Sequence, residues 1–283
     1  MELHLLGGLG FPDPDFASEY SWISHANSQG YATLAVDNLG NGESARPDPL
    51  NTVQSFLQIE IMREIMLRLR SGSLTTISPK FSKVVFVTHS YGSILGRGLA
   101  TLYPTDGANA YILTATSSNL TGINAAVDNF SARAASAVSG PRFESLAPGY
   151  LSVSTQGFRN AVYALAGDFD PRLLAWDLKL PHILAVGEIA GPISTAVSDF
   201  TGPVMVLTGR LDQIVCGGGD ISAVIGHCGV GRTSNPDMTR TFFPKVSQFE
   251  SYIPDKTGHD LNSHYSAPES FGAAHAWLTN VGF

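Results

Sequence analysis

The chain has 283 residues, a net charge of −7 at pH 7, a sequence pI of about 5.5 and 43% hydrophobic residues. This length suits one large domain or two modest ones. No dense run of Lys or Arg and no apolar run of about 20 residues occurs, so nucleic acid, anionic membrane surfaces and a membrane span are poor candidates.

Strand-like and helix-like segments alternate along most of the chain. Strands are predicted at residues 3–6, 31–36, 83–88, 110–114, 204–209 and 248–253. Helices are predicted at residues 54–70, 91–103 and 266–281. The first helix should turn one apolar stripe to the core, formed by Phe56, Ile59, Met62, Ile65, Met66 and Leu69. This alternation predicts an α/β fold with a doubly wound, mostly parallel sheet.

The alternation stops between residues 117 and 198, where the sequence is helical and aromatic and lacks buried-strand runs. We therefore predict a core of residues 1–116 and 199–283 and a helical lid insertion at residues 117–198. Ligands of open α/β sheets bind beyond the carboxyl ends of the strands, which a lid would cover with Phe130, Tyr163 or Trp176. The alternative is a helical layer packed on the sheet.

The stretch VVFVTHSYGSILG, residues 84–96, is typical of a buried strand that turns into a helix at Ser90. A serine there is either an ordinary turn residue or a nucleophile, and a nucleophile needs an imidazole to take its proton. His259 follows the last predicted strand beside a glycine, and Asp212 follows the strand before it. A serine, a histidine or an aspartate in such a loop is often only structural. All three residues follow strand ends, however, and can meet at one edge of the sheet, where Asp212 would orient His259.

Three segments resemble the α/β-hydrolase family, whose triad runs nucleophile, acid, histidine along the chain. Thr88-His89-Ser90-Tyr91-Gly92 resembles its nucleophile elbow. DNLGNGES, residues 37–44, resembles its D-x-x-G-x-G-x-S turn, and LLGGLG, residues 5–10, is similar to its oxyanion segment. The resemblance covers essentially the whole chain, and the stretches NSQGYATLAVDNLGNGES and HYSAPESFGAAHAWLTNVGF are similar to a group of fungal hydrolases.

The resemblance implies a serine esterase or lactonase that works through an acyl-enzyme on a small, rather apolar substrate. It implies Ser90, Asp212 and His259 as the catalytic triad and the backbone N–H groups of Leu9 and Tyr91 as the oxyanion hole. We predict no cofactor and no metal.

The sequence departs from the family pattern at three places. Thr88 stands where the elbow usually has a glycine, and Gly7 stands where the oxyanion segment usually has a histidine. The chain also begins inside the expected third strand, so the family's two antiparallel N-terminal strands and a signal peptide are expected to be missing. The first strand should still enter the sheet, and the edge that the missing strands would have flanked should be protected by a homodimer, with a rearranged or shortened sheet as the alternative.

Other functions are weighed against hydrolysis. The sequence GGLG, residues 7–10, lacks the spacing of a nucleotide site, and His259-Asp260 with His264 lacks a metal-binding pattern. Ser90 argues against the epoxide and carbon–halogen chemistry of family members with an Asp nucleophile. Acyl transfer, C–C cleavage or rearrangement in secondary metabolism stays open, as does a binding pseudoenzyme.

Cys216 and Cys228 lie twelve residues apart, and sequons begin at Asn119 and Asn129. Together they favour an oxidising compartment and a secreted protein, with a Cys216–Cys228 disulfide that tethers the loop of Asp212.

Overall fold

The computed structural model describes residues 1–5, 14–74, 77, 79–119, 132–138, 140–152, 168–177, 179, 182–190, 196–216 and 228–283. The strands in these ranges are β1 (Glu2–Leu5), β2 (Thr33–Val36), β3 (Val85–His89), β4 (Ala110–Thr114), β5 (Arg133–Ala134), β6 (Tyr150–Ser152), β7 (Ile183–Ala185), β8 (Val204–Leu207) and β9 (Phe249–Tyr252). The α-helices are α1 (Pro14–Tyr20), α2 (Trp22–Ser28), α3 (Ser55–Ser71), α4 (Tyr91–Leu102), α5 (Ala135–Val138), α6 (Pro171–Asp177), α7 (Val186–Ala190), α8 (Gln213–Cys216), α9 (Asn235–Met238) and α10 (Ala267–Asn280). Short 3₁₀ turns lie at Gly140–Arg142, Gly231–Thr233, Thr239–Phe242 and Leu261–Ser263.

Six strands form one sheet in the order β2-β1-β3-β4-β8-β9, and every pairing given for it is parallel. The predicted doubly wound α/β fold is confirmed, and each of the six predicted strands is found with its ends shifted by two residues or fewer. β1 pairs with both β2 and β3, with Glu2 opposite Thr33 on one side and Val85 on the other. The expectation that the first residues enter the sheet is therefore confirmed.

Successive side chains of the central strands point to opposite faces, and each face has its own core. Val85, Val87, Ile112 and Met205 face a cluster with α1, α2 and α10 that contains Trp22, Phe271 and Trp277. Phe86, Tyr111, Leu113 and Val206 face a second cluster with α3 and α4 that contains Met62, Met66 and Leu99. A sheet covered on both faces explains why these strands read as continuous apolar runs.

Helix α3 shows one correction to the predicted core stripe. Phe56 was expected to face the core, but it is 53% exposed. The buried stripe instead begins with Ser55 and Gln58 and continues through Ile59, Met62, Met66 and Leu69. The stripe starts on polar residues because both make partly buried hydrogen bonds: Ser55 with Tyr91 Oη, and Gln58 with Leu39 O and Glu188.

The segment between β4 and β8 contains strands as well as helices. β5, β6 and β7 form a small antiparallel sheet in that order, which differs from the expected absence of strands. Each of these strands has only two or three residues, so none produces a recognisable alternating pattern. The small sheet has its own apolar cluster, which includes Phe143, Tyr150 and Ile183 and also Val53 from the core.

Within the ranges above, none of the helices is both long and apolar enough to cross a bilayer.

Candidate active site

The predicted nucleophile lies at the sharp turn between β3 and α4. Ser90 has φ 52° and ψ −115°, a conformation that a residue with a Cβ rarely adopts. Its N–H donates to the carbonyl of Thr114 at 3.0 Å, and its carbonyl accepts from Ser93 N–H at 2.8 Å. A strained backbone of this kind costs about 1–3 kcal/mol and persists only where its surroundings hold it. β4 and the first turn of α4 therefore hold Ser90 at the carboxyl edge of the sheet.

Thr88, the departure from the family's glycine, fits because the facing helix residues are small. Its side chain is fully buried, and its hydroxyl lies 3.1 Å from Ser93 Oγ. A Cβ atom at Gly96 would come within 3.4 Å of Thr88 Oγ1 and 2.9 Å of Leu113 Cδ2. The extra bulk of Thr88 thus fits because Gly96, in the second turn of α4, has no side chain. The Thr88 hydroxyl in turn lies within hydrogen-bond distance of the Ser93 hydroxyl.

Ser90, His259 and Asp212 form a continuous hydrogen-bonded chain. His259 Nε2 lies 2.7 Å from Ser90 Oγ, and His259 Nδ1 lies 2.8 Å from Asp212 Oδ2. Both distances fall within the range of about 2.6–3.2 Å expected for a nucleophile, its base and the group that orients the base. The His259 side chain is 5% exposed and that of Asp212 is 0% exposed, so the contact between them is buried, whereas the contact with Ser90 is partly buried.

The acid is held by the start of α8. Asp212 Oδ1 accepts N–H groups from Ile214 at 2.9 Å and Val215 at 3.1 Å, which leaves Oδ2 for His259. A buried carboxylate with a partner on each oxygen avoids most of the cost of burying an unpaired charge. The sequence places Asp212 at a strand end, and the helix that follows it orients the carboxylate.

The loops that carry the acid and the histidine pack backbone against backbone. Leu211 N–H donates to Thr257 O at 2.9 Å, and Arg210 N–H donates to Pro254 O at 3.0 Å. A Cβ atom at Gly209 would overlap the carbonyl oxygens of Thr257 and Gly258. The absence of a side chain at position 209 therefore permits the close approach of the two loops.

His264 joins the histidine loop to the segment between β4 and β8. Its Nε2 accepts Gly258 N–H at 3.1 Å, and its Nδ1 lies 3.2 Å from the carbonyl oxygen of Asp168. A bridge between Phe169 and His264 and a bond from Tyr265 N–H to Asp168 O at 3.1 Å extend this junction. Burial lowers the pKa of His264 to about 4, so the ring is neutral at pH 7. Sequence reasoning weighed His264 only as a metal ligand and missed this role.

The predicted disulfide between Cys216 and Cys228 is present. Cys216 N–H donates to Asp212 O at 3.2 Å, and Cys228 N–H donates to Arg210 O at 3.0 Å. The crosslink therefore lies directly beside the turn that carries the acid.

Of the two predicted oxyanion donors, the structure describes Tyr91. Tyr91 is the first residue of α4, where a backbone N–H has no partner within the helix, and it directly follows Ser90. Its hydroxyl lies 3.1 Å from Ser55 Oγ, and burial raises the pKa of Tyr91. Leu9 lies outside the described residues, so its predicted role stays a prediction.

Of the three aromatic residues predicted to cover the pocket, the structure describes Trp176. Phe130 and Tyr163 lie outside the part of the chain that the structure describes. Trp176 is partly buried and packs against the core cluster of Trp22 and Phe271. A roof over Ser90 stays a prediction.

The sequence profile of the Alpha/beta hydrolase family matches residues 3–274. The chain belongs to this family. Membership in the alpha/beta hydrolase family supports a hydrolytic enzyme. A search of curated proteins found no match.

Solved structures share the alpha/beta hydrolase fold of the chain. A monoacylglycerol lipase from Paleococcus ferrophilus has a TM-score of 0.60 at 15% identity, covering 99% of this chain and 95% of its own. A thermophilic esterase from Thermogutta terrifontis has a TM-score of 0.59 at 16% identity, covering 100% and 90%. A bromoperoxidase from Bacillus anthracis has a TM-score of 0.62 at 16% identity, covering 98% and 91%. Similarity at this level of identity establishes the fold and leaves the substrate open.

Proposed function

We propose that the protein is a serine hydrolase that cleaves an ester or lactone through an acyl-enzyme. The observation that carries the proposal is the hydrogen-bonded chain from Ser90 Oγ through His259 to Asp212, at distances of 2.7 and 2.8 Å. A binding protein has no need of a nucleophile, a base and an orienting acid in one line.

Each residue has a defined part in the first half of the reaction. Ser90 Oγ attacks the substrate carbonyl carbon while its proton passes to His259 Nε2. Asp212 Oδ2 accepts the Nδ1–H of His259, which fixes the tautomer with a bare Nε2 and stabilises the imidazolium as it forms. The tetrahedral intermediate then collapses, His259 gives its proton to the leaving alkoxide oxygen, and Ser90 carries the acyl group.

Hydrolysis repeats these steps with water. His259 takes a proton from the attacking water, and Ser90 leaves as its proton returns from Nε2. The negative oxygen of both tetrahedral intermediates lies beside the first turn of α4, where the N–H of Tyr91 donates to it. Leu9 N–H is the second proposed donor.

The finer features of the substrate and assembly belong to the same proposal. A small, rather apolar substrate is inferred from the aromatic content of residues 117–198, which we propose as the lid. β2 and β9 are the edge strands of the parallel sheet among the strands described, and pairing of the β2 edge between two copies would give the proposed homodimer. The resemblance to fungal hydrolases stays a prediction.

Labelling with a fluorophosphonate tests the nucleophile directly. We expect the wild-type protein to be labelled and Ser90→Ala to be unlabelled, because the reagent needs an activated serine. Ser28→Ala is the control, since Ser28 is an exposed serine at the end of α2. A folded wild-type protein that resists labelling would contradict a serine hydrolase and favour a binding protein. Release of alcohol from short acyl esters then distinguishes hydrolysis from other chemistry at the same serine.

A further inference from the structure

A second imidazole lies against the ring of His259. His89, the last residue of β3, precedes Ser90, and its ring centroid lies 5.3 Å from that of His259 with an interplanar angle of 59°. This distance and tilt are typical of packed aromatic rings. Beyond its hydrogen bonds to Ser90 and Asp212, His259 thus has a ring neighbour.

The tautomer of His89 follows from its hydrogen bonds. Thr114 Oγ1 donates its one proton to the carbonyl oxygen of Thr88 at 2.8 Å. The same hydroxyl lies 3.0 Å from His89 Nδ1, so towards this nitrogen it can only accept. Nδ1 therefore carries the proton, and Thr114, which is 1% exposed, fixes the rotation of the His89 ring.

The charge of His89 follows from its surroundings. Burial of the ring and the neighbouring His259 lower the pKa of His89 to about 3. Only His259 of the pair therefore becomes cationic as the proton leaves Ser90. A second positive charge 5.3 Å away would oppose that step.

We propose that Thr114 and His89 are positioning residues, which hold the His89 ring in one tautomer against His259 and so keep His259 Nε2 aligned with Ser90 Oγ. The inference rests on the proposed serine hydrolase activity. The Thr114 hydroxyl gives the ring of His89 its orientation, and the ring of His89 limits the rotation of His259. Neither residue touches the reacting atoms, so their loss should slow the chemical step and leave substrate binding unchanged.

Steady-state hydrolysis of a short acyl ester by Thr114→Val tests this proposal. We expect kcat to fall about tenfold and KM to change by less than about twofold, since small misalignments of a catalytic group slow the chemistry. Thr114→Ser retains the hydroxyl and should restore kcat to within about twofold of the wild type. Thr101→Val removes a comparable hydroxyl, bonded to Arg97 O further along α4, and serves as the control.

His89→Phe provides a second route if Thr114→Val fails to fold. It keeps an aromatic ring beside His259 but has no Nδ1–H for Thr114, and it should also lower kcat without raising KM. An active wild type whose kcat is unchanged in both variants would overturn this inference alone. A loss that appears in KM, or that Thr114→Ser does not restore, would also overturn it. A wild type that turns over no ester would overturn the proposed function itself.

Discussion

Protonation of His264 should destabilise the protein in mild acid. The ring is 1% exposed, and its two hydrogen bonds require Nε2 as an acceptor and Nδ1–H as a donor. A protonated ring has two donors and no acceptor, so it faces the N–H of Gly258 with another N–H. Protonation of His264 at low pH therefore weakens the junction between Asp168 and the loop that carries His259.

The magnitude follows from the pKa. Burial lowers the pKa of His264 to about 4 from an ordinary value of 6.5, with the carbonyl and charge of Asp168 and the charge of Asp212 opposing the shift. Between these values the unfolded chain binds a proton that the folded protein does not, so the free energy of unfolding decreases as pH falls from 6.5 to about 4. A difference of about 2.5 pH units at about 1.4 kcal/mol each gives a full loss of about 3–4 kcal/mol, of which about 3 kcal/mol is reached at pH 4, where half of the folded rings are protonated.

Urea unfolding of the wild type and His264→Gln between pH 7 and pH 4 measures this loss. A glutamine amide offers one donor and one acceptor at every pH, so the variant should lack this part of the pH dependence. Between pH 7 and pH 4, the free energy of unfolding of the wild type should fall by about 3 kcal/mol more than that of His264→Gln. Parallel curves for the wild type and His264→Gln would refute the assigned hydrogen bonds.

Two further predictions concern the disulfide and a buried ion pair. Replacing Cys216 and Cys228 by serine should lower the free energy of unfolding by about 3 kcal/mol in urea titrations and reduce esterase kcat, because the crosslink closes a loop beside Asp212. A kcat equal to that of the wild type would contradict a role of the crosslink in positioning Asp212. His275 Nε2 lies 2.9 Å from Glu2 Oε1, and although burial opposes it, the negative charge of Glu2 raises the pKa of His275. The stabilisation by this ion pair is complete below pH 6.5 and is lost as pH rises through the raised pKa of His275. The melting temperature of His275→Gln should therefore fall less steeply with rising pH than that of the wild type. An equal fall in the two proteins would contradict this.

The sheet was readable from the sequence because its strands are covered on both faces. Runs such as Val204–Leu207 are apolar throughout, and the strand ends then place Ser90, Asp212 and His259 at one edge. The order of these three residues along the chain then identified them as the candidate nucleophile, acid and base.

Other parts left no such pattern. The two helices described between β1 and β2 have seven residues each and bury three aromatic residues, Phe16, Tyr20 and Trp22. The strands of the small antiparallel sheet are too short to alternate visibly. Thr114 and His264 act through hydrogen bonds to residues distant in sequence, which composition and spacing do not reveal.

Gly209 has a consequence for how the chain tolerates change. The distance from the acid loop to the histidine loop is determined by main-chain atoms that face each other across a position with no side chain. The space at position 209 is thus one determinant of how closely the acid and the base can approach each other. A substitution here would act on both loops at once, since any side chain at this position would push them apart.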